Sequence, residues 1–125
     1  MEKIAVPAKG PEGLDAIAFG QPSYAPFFTI VTVEDSEIKK VEVIRNPASG
    51  LLTYRGPSLA SWLKHMGVTV LISISLPEDV LRSLTSWGIR AVFATGRTVR
   101  EILDAYLSGT YRPPGGEKSG EEGLV

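Results

Sequence analysis

The pattern of apolar and polar positions predicts three strands in the first part of the chain. Residues 27–33 and 38–45 are rich in β-branched and aromatic side chains, and the four polar residues 34–37 lie between them. This pattern predicts a hairpin, although not one with a tight turn of the Asn-Gly type. Residues 3–6 predict an earlier buried strand, and a long connection rich in Gly and Pro, 7–26, separates that strand from the hairpin.

Three apolar stripes at helical spacing follow the hairpin, and each of them ends at a glycine: Gly67, Gly88 or Gly109. The stripes consist of Leu59, Trp62, Leu63 and Met66, then Val80, Leu81, Leu84 and Trp87, then Val99, Ile102, Leu103 and Tyr106. This recurrence indicates the buried face of a helix, so both tryptophans are predicted to lie in the core. Residues 68–74 and 89–94 predict strands between the helices. The chain is therefore expected to form an α/β fold with five strands, in the order β-β-β-α-β-α-β-α.

The length and composition predict one domain, residues 1–109, followed by a flexible C-terminal tail, residues 110–125. A chain of 125 residues suits a single core, and its tail is poor in apolar side chains. The net charge of −1, with acidic and basic residues nearly balanced, argues against a nucleic-acid-binding protein. No apolar stretch approaches the roughly 20 residues that span a membrane, and no signal peptide is visible, so we expect a cytoplasmic protein.

The residue types present argue against several kinds of catalytic or metal site. The chain has no cysteine and one histidine, so neither a thiolate-held cluster nor a His-rich metal site can form within it. His65 lies at the predicted C-terminal end of the first helix, where a cation complements the helix dipole, and we interpret it as structural or solvated. The strand segments 3–6 and 68–74 carry no carboxylate, which argues against two-metal hydrolysis. We expect a binding or carrier protein and not an enzyme.

The predicted topology brings the beginnings of the three helices to one edge of the sheet, if the relevant strands run parallel. Unpaired N–H groups and the positive ends of the helix dipoles would meet there, which favours a phosphate, a carboxylate or a negatively charged cluster. Ser75 and Thr98 each begin a capping-box pattern, and Lys9, Arg55 and Arg97 add positive charge near this edge. The alternative is that the capping boxes only stabilise their helices, by about 1 kcal/mol each.

Two residues of the first connection admit more than one interpretation. Phe19 lies in a Gly-rich loop, where it either plugs the core or covers a pocket, and Asp15 is a turn or N-cap residue as readily as a ligand. The residues that we select as candidates for cofactor binding are Lys9, Phe19, Gly20, Arg55, Ser75, Arg97 and Thr98. No residue is selected for catalysis or for direct coordination of a metal.

Several short strings, taken in their order and spacing, resemble a known protein family. They are Lys3-Ile4-Ala5-Val6, Phe19-Gly20, Phe27-Phe28-Thr29-Ile30-Val31, Asn46-Pro47-Ala48, Gly56-Pro57, Gly67-Val68, Gly88-Ile89, Thr98-Val99-Arg100-Glu101 and Tyr106-Leu107-Ser108-Gly109. The family is the dinitrogenase iron–molybdenum cofactor biosynthesis family of NifX-type accessory domains, and the resemblance spans about residues 3–109. It implies a ribonuclease H-like three-layer fold with a five-stranded mixed sheet. It also implies binding of the iron–molybdenum cofactor or an iron–sulfur cluster precursor, with metallocluster assembly proteins as partners.

The chain departs from the family pattern at two places. The family typically has His-Phe-Gly in the first loop, with the histidine implicated in cluster binding, whereas this chain has Ala18-Phe19-Gly20. The family's Gly-rich turn after the fourth strand is here Ile74-Ser75-Leu76-Pro77. Two hypotheses follow: a small carrier of an anionic cofactor or cluster precursor at the helix N-terminal edge, or a protein-interaction or regulatory domain of the same fold that has lost cluster binding. The sequence makes no prediction of the oligomeric state.

Overall fold

The computed structural model describes residues 1–47 and 55–111, with the side chains of residues 55–58 excepted. In this part of the chain the strands and helices follow the predicted order. They are β1 (Glu2–Ala8), β2 (Phe27–Glu34), β3 (Glu37–Arg45), α1 (Arg55–His65), β4 (Val70–Ser73), α2 (Glu78–Ser86), β5 (Arg90–Phe93) and α3 (Val99–Leu107). Two short 3₁₀ turns, Gly13–Asp15 and Pro22–Tyr24, lie within the first connection.

The described strands form one five-stranded sheet in the order β3-β2-β1-β4-β5. β1 pairs antiparallel with β2 and parallel with β4, and β4 pairs parallel with β5. Because β3 is antiparallel to β2, it runs in the same direction as β1, β4 and β5. These four strands end at the same side of the sheet, which we call the carboxyl edge. The strand order and directions confirm the predicted α/β fold of the ribonuclease H-like type.

Helices cover both faces of the sheet, so the predicted three-layer arrangement is confirmed. Side chains of a strand alternate between the two faces of the sheet. In β1, Ile4 and Val6 pack on the face that α3 covers, whereas Ala5 packs on the face that α1 and α2 cover. The α3 side contains Ile102 and Leu103, and the opposite side contains Leu59, Leu63 and Leu84. No helix within the described residues is long and apolar enough to cross a membrane.

The hairpin between β2 and β3 has a tight turn, contrary to the looser connection that the sequence predicts. Glu34 pairs with Glu37, so the loop consists of Asp35 and Ser36, with φ of 55° and 64°. Two consecutive left-handed residues in a two-residue loop match the twist of the flanking strands, which is why glycine and asparagine are preferred there. Asp tolerates the left-handed region better than most residues, because its short side chain bonds locally, and the strand pairing holds Ser36 in the same conformation.

The two tryptophans differ in burial, and the prediction that both lie in the core is wrong for Trp87. Trp62 is half-buried, and the centroid of its ring lies 5.7 Å from the ring centroid of Phe28. Trp87 is 40% exposed. It follows the last residue of α2, Ser86, as the C-cap of that helix. The apolar stripe therefore continues one position beyond the part of the helix that packs on the sheet.

The first two residues of the predicted tail contact the domain. The N–H and the hydroxyl of Thr110 both donate to the carbonyl of Ala105, at 2.8 and 3.0 Å. The hydroxyl of Tyr111 accepts from Arg90 at 2.9 Å, and the ring centroids of Tyr111 and Tyr106 are 4.9 Å apart. The remainder of the tail, residues 112–125, lies outside the described residues, and its flexibility stays a prediction.

Candidate functional site

The first connection folds back along the end of β1 at the carboxyl edge. The N–H of Lys9 donates to the carbonyl of Ile17 at 2.8 Å, and the N–H of Phe19 donates to the carbonyl of Pro7 at 3.0 Å. Ala8 and Ala18 form a bridge between these two hydrogen bonds. The candidates Lys9 and Phe19 are therefore held on two short antiparallel segments that extend β1 beyond the sheet.

The same connection is bonded to the loop between β5 and α3. The N–H of Ala18 donates to the carbonyl of Arg97, and the N–H of Val99 donates to the carbonyl of Ala16, both at 2.9 Å. An ion pair of 3.0 Å between Arg100 and Asp15 adds to this contact. Asp15 is thus a residue of the 3₁₀ turn that pairs with α3, which agrees with the turn interpretation of its role.

The connection is also bonded to the loop between β4 and α2. The hydroxyl of Ser75 donates to the carbonyl of Gly20 at 2.7 Å, and the buried hydroxyl of Ser73 donates to the carbonyl of Ser75 at 2.8 Å. Ser75 is therefore not the N-cap of α2, as the capping-box pattern predicts. That position is occupied by Pro77, which has no side-chain hydrogen bond to the helix. The hydroxyl predicted to cap α2 bonds to the first connection instead.

The beginning of α3 follows the predicted capping pattern. The hydroxyl of Thr98 accepts from the N–H of Glu101 at 3.2 Å, and the carboxylate of Glu101 accepts from the N–H of Arg97 at 2.6 Å. The N–H of Ile102 donates to the carbonyl of Thr98. Because Val99 also donates to Ala16, most N–H groups at this helix end already have partners. A ligand here would rely on the dipole and on side chains more than on free N–H groups.

The three helix N-termini share the carboxyl edge but not a face of the sheet. α1 and α2 pack on one face and α3 packs on the other. The first turn of α2 contains Glu78 and Asp79, whose negative charges offset the positive end of that helix dipole. α1 has no acidic residue in its first turn and begins at Arg55, whose side chain lies outside the described residues. The electrostatics of the edge are therefore less uniform than the topology alone implies.

Positive charge at the edge comes from exposed side chains. Lys9 and Arg97 are both exposed, and among the described residues neither forms an ion pair. A Cβ placed on Gly20 would meet no atom within 4 Å, so the space beside this glycine is open. Gly20, Ser75, Phe19, Arg97 and Thr98 are brought together by the loop contacts. Lys9 lies at the start of the same connection.

A groove that the sequence did not indicate lies beside the ends of β4 and β5. Its volume is about 400 Å³, within the range of small-molecule sites, and it is lined by Ile74, Phe93, Ala94, Thr95, Thr110 and Tyr111. Thr110 and Tyr111 contribute to its lining after the chain turns at Gly109, which has a φ of 84°, and the Tyr111 hydroxyl accepts from Arg90 of β5. Gly109 marked the end of a helix in the sequence, but no pattern showed the direction in which the chain continues.

The described residues contain no group of three or more His, Cys, Asp or Glu side chains that could hold a metal ion. His65 lies at the opposite edge of the sheet, where its Nδ1 is 2.8 Å from the carbonyl of Ser61. The neighbouring carbonyl of Met66 accepts from Lys3 at the start of β1, which places this helix end far from the candidate site. Within the described residues, His65 and the candidates Lys9, Phe19, Gly20, Ser75, Arg97 and Thr98 therefore lie at opposite edges of the sheet.

Comparisons with known proteins agree with this architecture. Residues 2–109 match the family described as "Dinitrogenase iron-molybdenum cofactor". The apo form of the orange protein from Desulfovibrio gigas superposes with a TM-score of 0.82 at 28% identity, over 93% of this chain and 95% of that one. An uncharacterized protein of Methanocaldococcus jannaschii is 29% identical over 82 residues, which cover 66% of this chain and 70% of the relative.

Proposed function

Because the chain belongs to the dinitrogenase iron-molybdenum cofactor family, we propose that it is a non-catalytic accessory protein that carries an anionic metallocluster or cluster precursor. The cargo would bind at the carboxyl edge, between the first connection and the loops that precede α2 and α3. The proteins that assemble or accept such clusters would be its partners.

The observation that carries this proposal is the contact of the first connection with both of these loops. Gly20 is bonded to Ser75, and Ala18 is bonded to Arg97, so three separate segments are fixed against one another at the edge. The exposed side chains of Arg97 and Lys9 give this site positive charge, and the space beside Gly20 is open. A fixed, positively charged surface is suited to an anion, because ordering of the loops does not have to accompany binding.

The composition sets the manner in which a cluster would be held. With no cysteine in the chain and its one histidine at the opposite edge, the protein offers neither a thiolate nor an imidazole for direct coordination of iron or molybdenum at this site. Binding would rest on charge-assisted hydrogen bonds from Arg97 and Lys9 to sulfur or oxygen atoms of the cluster. Such a cargo would be released more readily than one that is bonded to thiolates, as a carrier requires.

The test is anaerobic reconstitution of the full chain with iron, sulfide and molybdate, followed by gel filtration, metal analysis and optical spectroscopy. We expect a coloured protein that retains metal. Arg97→Ala should weaken retention by about tenfold, because a charged hydrogen bond is lost. Lys64→Ala is the control, since Lys64 is an exposed basic residue in the last turn of α1, at the opposite edge of the sheet. A protein that retains metal equally well after both substitutions would contradict the assignment of the site.

The second hypothesis is that the chain is an interaction or regulatory domain that has lost cluster binding. Three residues at the carboxyl edge favour it. Glu78 and Asp79 oppose an anion at α2, and Ala18 stands where the family typically has a histidine. Reconstitution separates the two functions if Ala18→His is included. A colourless wild-type protein together with a metal-retaining Ala18→His variant would favour loss of the cargo over carriage of it.

A further inference from the structure

β3 is an edge strand whose outer backbone groups are not paired within the described residues. It is nine residues long, and its members are exposed or half-buried throughout. The strand at the opposite edge, β5, has only four residues. Long exposed edge strands are uncommon in monomers, because they present a row of donors and acceptors to any other strand. The open edge of β3 is therefore the feature of this molecule that most needs an explanation.

The apolar side chains of β3 lie mainly on one face. Val41 and Val43 pair with Val31 and Thr29 of β2, whose side chains point towards the α3 side. A bulge between Lys40 and Ile38 changes the alternation by one residue, so Ile38, which pairs with Val33, is on this face as well. Ile38, Val41 and Val43 are 40%, 39% and 38% exposed. They form an apolar stripe along the α3 face of the edge, which we call the β3 stripe.

Two copies of β3 are complementary to each other when they pair antiparallel with Val41 at the centre. Val41 of one copy would then lie opposite Val41 of the other. On the other side of the sheet, Lys40 of each copy would lie opposite Glu42 of its partner, which gives two such pairs by symmetry. Because the bulge shifts the alternation in both copies, Val43 would face Ile38. Every member of the β3 stripe would thus meet an apolar side chain, and each central charge would meet an opposite one.

The neighbouring registers lack this complementarity. A one-residue slip places the β3 stripe of one chain on the wrong face of the other. An arrangement centred on Lys40 puts two ammonium groups opposite each other, and one centred on Glu42 does the same with two carboxylates, which is destabilising. Lysines commonly protect an edge strand from association, but in the register centred on Val41 Lys40 has an acidic partner.

We propose that two copies of this chain associate through β3, antiparallel and centred on Val41, to form a continuous ten-stranded sheet. The inference is independent of the proposed function, because β3 lies at the far side of β2 from the loops that precede α2 and α3. The carboxyl edges of the two copies would point in opposite directions, since antiparallel pairing reverses one sheet relative to the other. Each copy would therefore keep its own site.

The absence of cysteine makes a direct test of the register possible. Residues directly opposite in an antiparallel pair have Cα atoms about 4.5–5.5 Å apart, a separation that a disulfide spans. Val41→Cys introduces the only thiol of the chain, and with oxidised glutathione as electron acceptor it should form a disulfide-linked dimer. Thr85→Cys, on an exposed position of α2, is the control. Cross-linking of Val41→Cys no faster than that of the control would overturn the proposal.

Sedimentation equilibrium of the full chain tests the charges. We expect a monomer–dimer equilibrium over about a hundredfold range of protein concentration, weakened about tenfold by Lys40→Glu or by Glu42→Lys alone. The double variant Lys40→Glu with Glu42→Lys restores opposite charges across the pair and should recover dimerisation, with circular dichroism as the check on folding. A monomer at all concentrations, or a double variant that is no better than either single one, would show that this interface does not exist.

Discussion

The hydroxyl of Ser75 donates a hydrogen bond of 2.7 Å to the carbonyl of Gly20, 55 residues earlier in the chain. The contact joins the loop after β4 to the connection that follows β1. The carbonyl of Ser75 in turn accepts a hydrogen bond of 2.8 Å from the buried hydroxyl of Ser73, the last residue of β4. The position of Gly20 is therefore tied to the end of β4, an interior strand of the sheet.

Ser75→Ala should loosen the first connection with little effect on the fold. The free energy of unfolding is expected to fall by about 0.5–1 kcal/mol, because water replaces the lost partner of an exposed carbonyl. Amide hydrogen exchange at Ala18 and Phe19, whose N–H groups donate to Arg97 and Pro7, should become faster, since the loop opens more often. Ser86→Ala is the control, because the Ser86 hydroxyl bonds only to Ser83 in its own helix, at 2.9 Å. Equal exchange at Ala18 and Phe19 in wild type and Ser75→Ala would contradict this role.

Thr98→Ala should destabilise the protein by about 1 kcal/mol, because the side chain of Thr98 is the N-cap of α3. The N–H of Glu101 would lose its partner at 3.2 Å. Thr98→Ser keeps a hydroxyl at the same position and should recover most of the loss. Urea denaturation measures both changes. A Thr98→Ser variant as unstable as Thr98→Ala would mean that the methyl group, and not the cap, is responsible.

The elements of the fold were predictable because burial repeats with the period of each element. The stripe of Val99, Ile102, Leu103 and Tyr106 lies in the α3 core as predicted, and Gly109 adopts the positive φ expected after a helix. The same argument fails at Trp87, because periodicity does not show where a helix stops contacting the sheet. It also fails at Ser36, whose left-handed backbone is imposed by pairing of the strands rather than by residue type.

The candidate site was predictable only in part, because its main contacts join distant segments. Thr98 fits a local motif, and its cap forms as that motif predicts. Ser75 fits the same motif, yet its hydroxyl bonds to Gly20, and no local pattern contains that information. The N–H of Ala18 likewise donates to the backbone carbonyl of Arg97, a bond that does not depend on either side chain. The topology predicts that the loops before α2 and α3 lie at one edge of the sheet. It does not predict which groups of these loops form hydrogen bonds with the first connection.

Tyr106 links three elements at the edge of the sheet opposite the candidate site. Its hydroxyl donates to the carboxylate of Glu2, with oxygen–oxygen distances of 2.8 and 3.0 Å, and accepts from Arg90 at 2.8 Å. Burial raises the pKa of Tyr106, and the hydrogen bond to Glu2 acts in the same direction, while Arg90 opposes it. The folded protein therefore holds this proton more tightly than the unfolded chain does.

The stability of the protein should fall as the pH rises above about 10, the pKa of an ordinary tyrosine. Between that value and the higher folded pKa, the unfolded chain has lost the Tyr106 proton and the folded protein has kept it. Deprotonation then favours unfolding, whereas below about pH 10 the contribution is fully present. Tyr106→Phe should show a shallower decline in the free energy of unfolding above pH 10, and about 1–2 kcal/mol less stability at pH 7.

Urea denaturation at a series of pH values measures both effects of Tyr106→Phe. The control is Tyr24→Phe, which also removes one tyrosine hydroxyl but from a side chain that is 54% exposed. Taking the difference from wild type cancels the titration of lysines and other tyrosines that the proteins share. A decline as steep in Tyr106→Phe as in wild type would show that Tyr106 does not cause it.

Ser36→Gly should stabilise the hairpin, because Ser36 has a φ of 64° without being glycine. The left-handed region disfavours a Cβ by about 1–2 kcal/mol, and the gain is reduced by the greater freedom of glycine in the unfolded chain, which leaves about 0.5–1 kcal/mol. Ser86→Gly is the matched control, because Ser86 is an exposed serine at the end of α2, where glycine should destabilise by about 0.5–1 kcal/mol. Urea denaturation should thus give changes of opposite sign for the same substitution. A loss of stability in both variants would mean that the turn tolerates serine without strain.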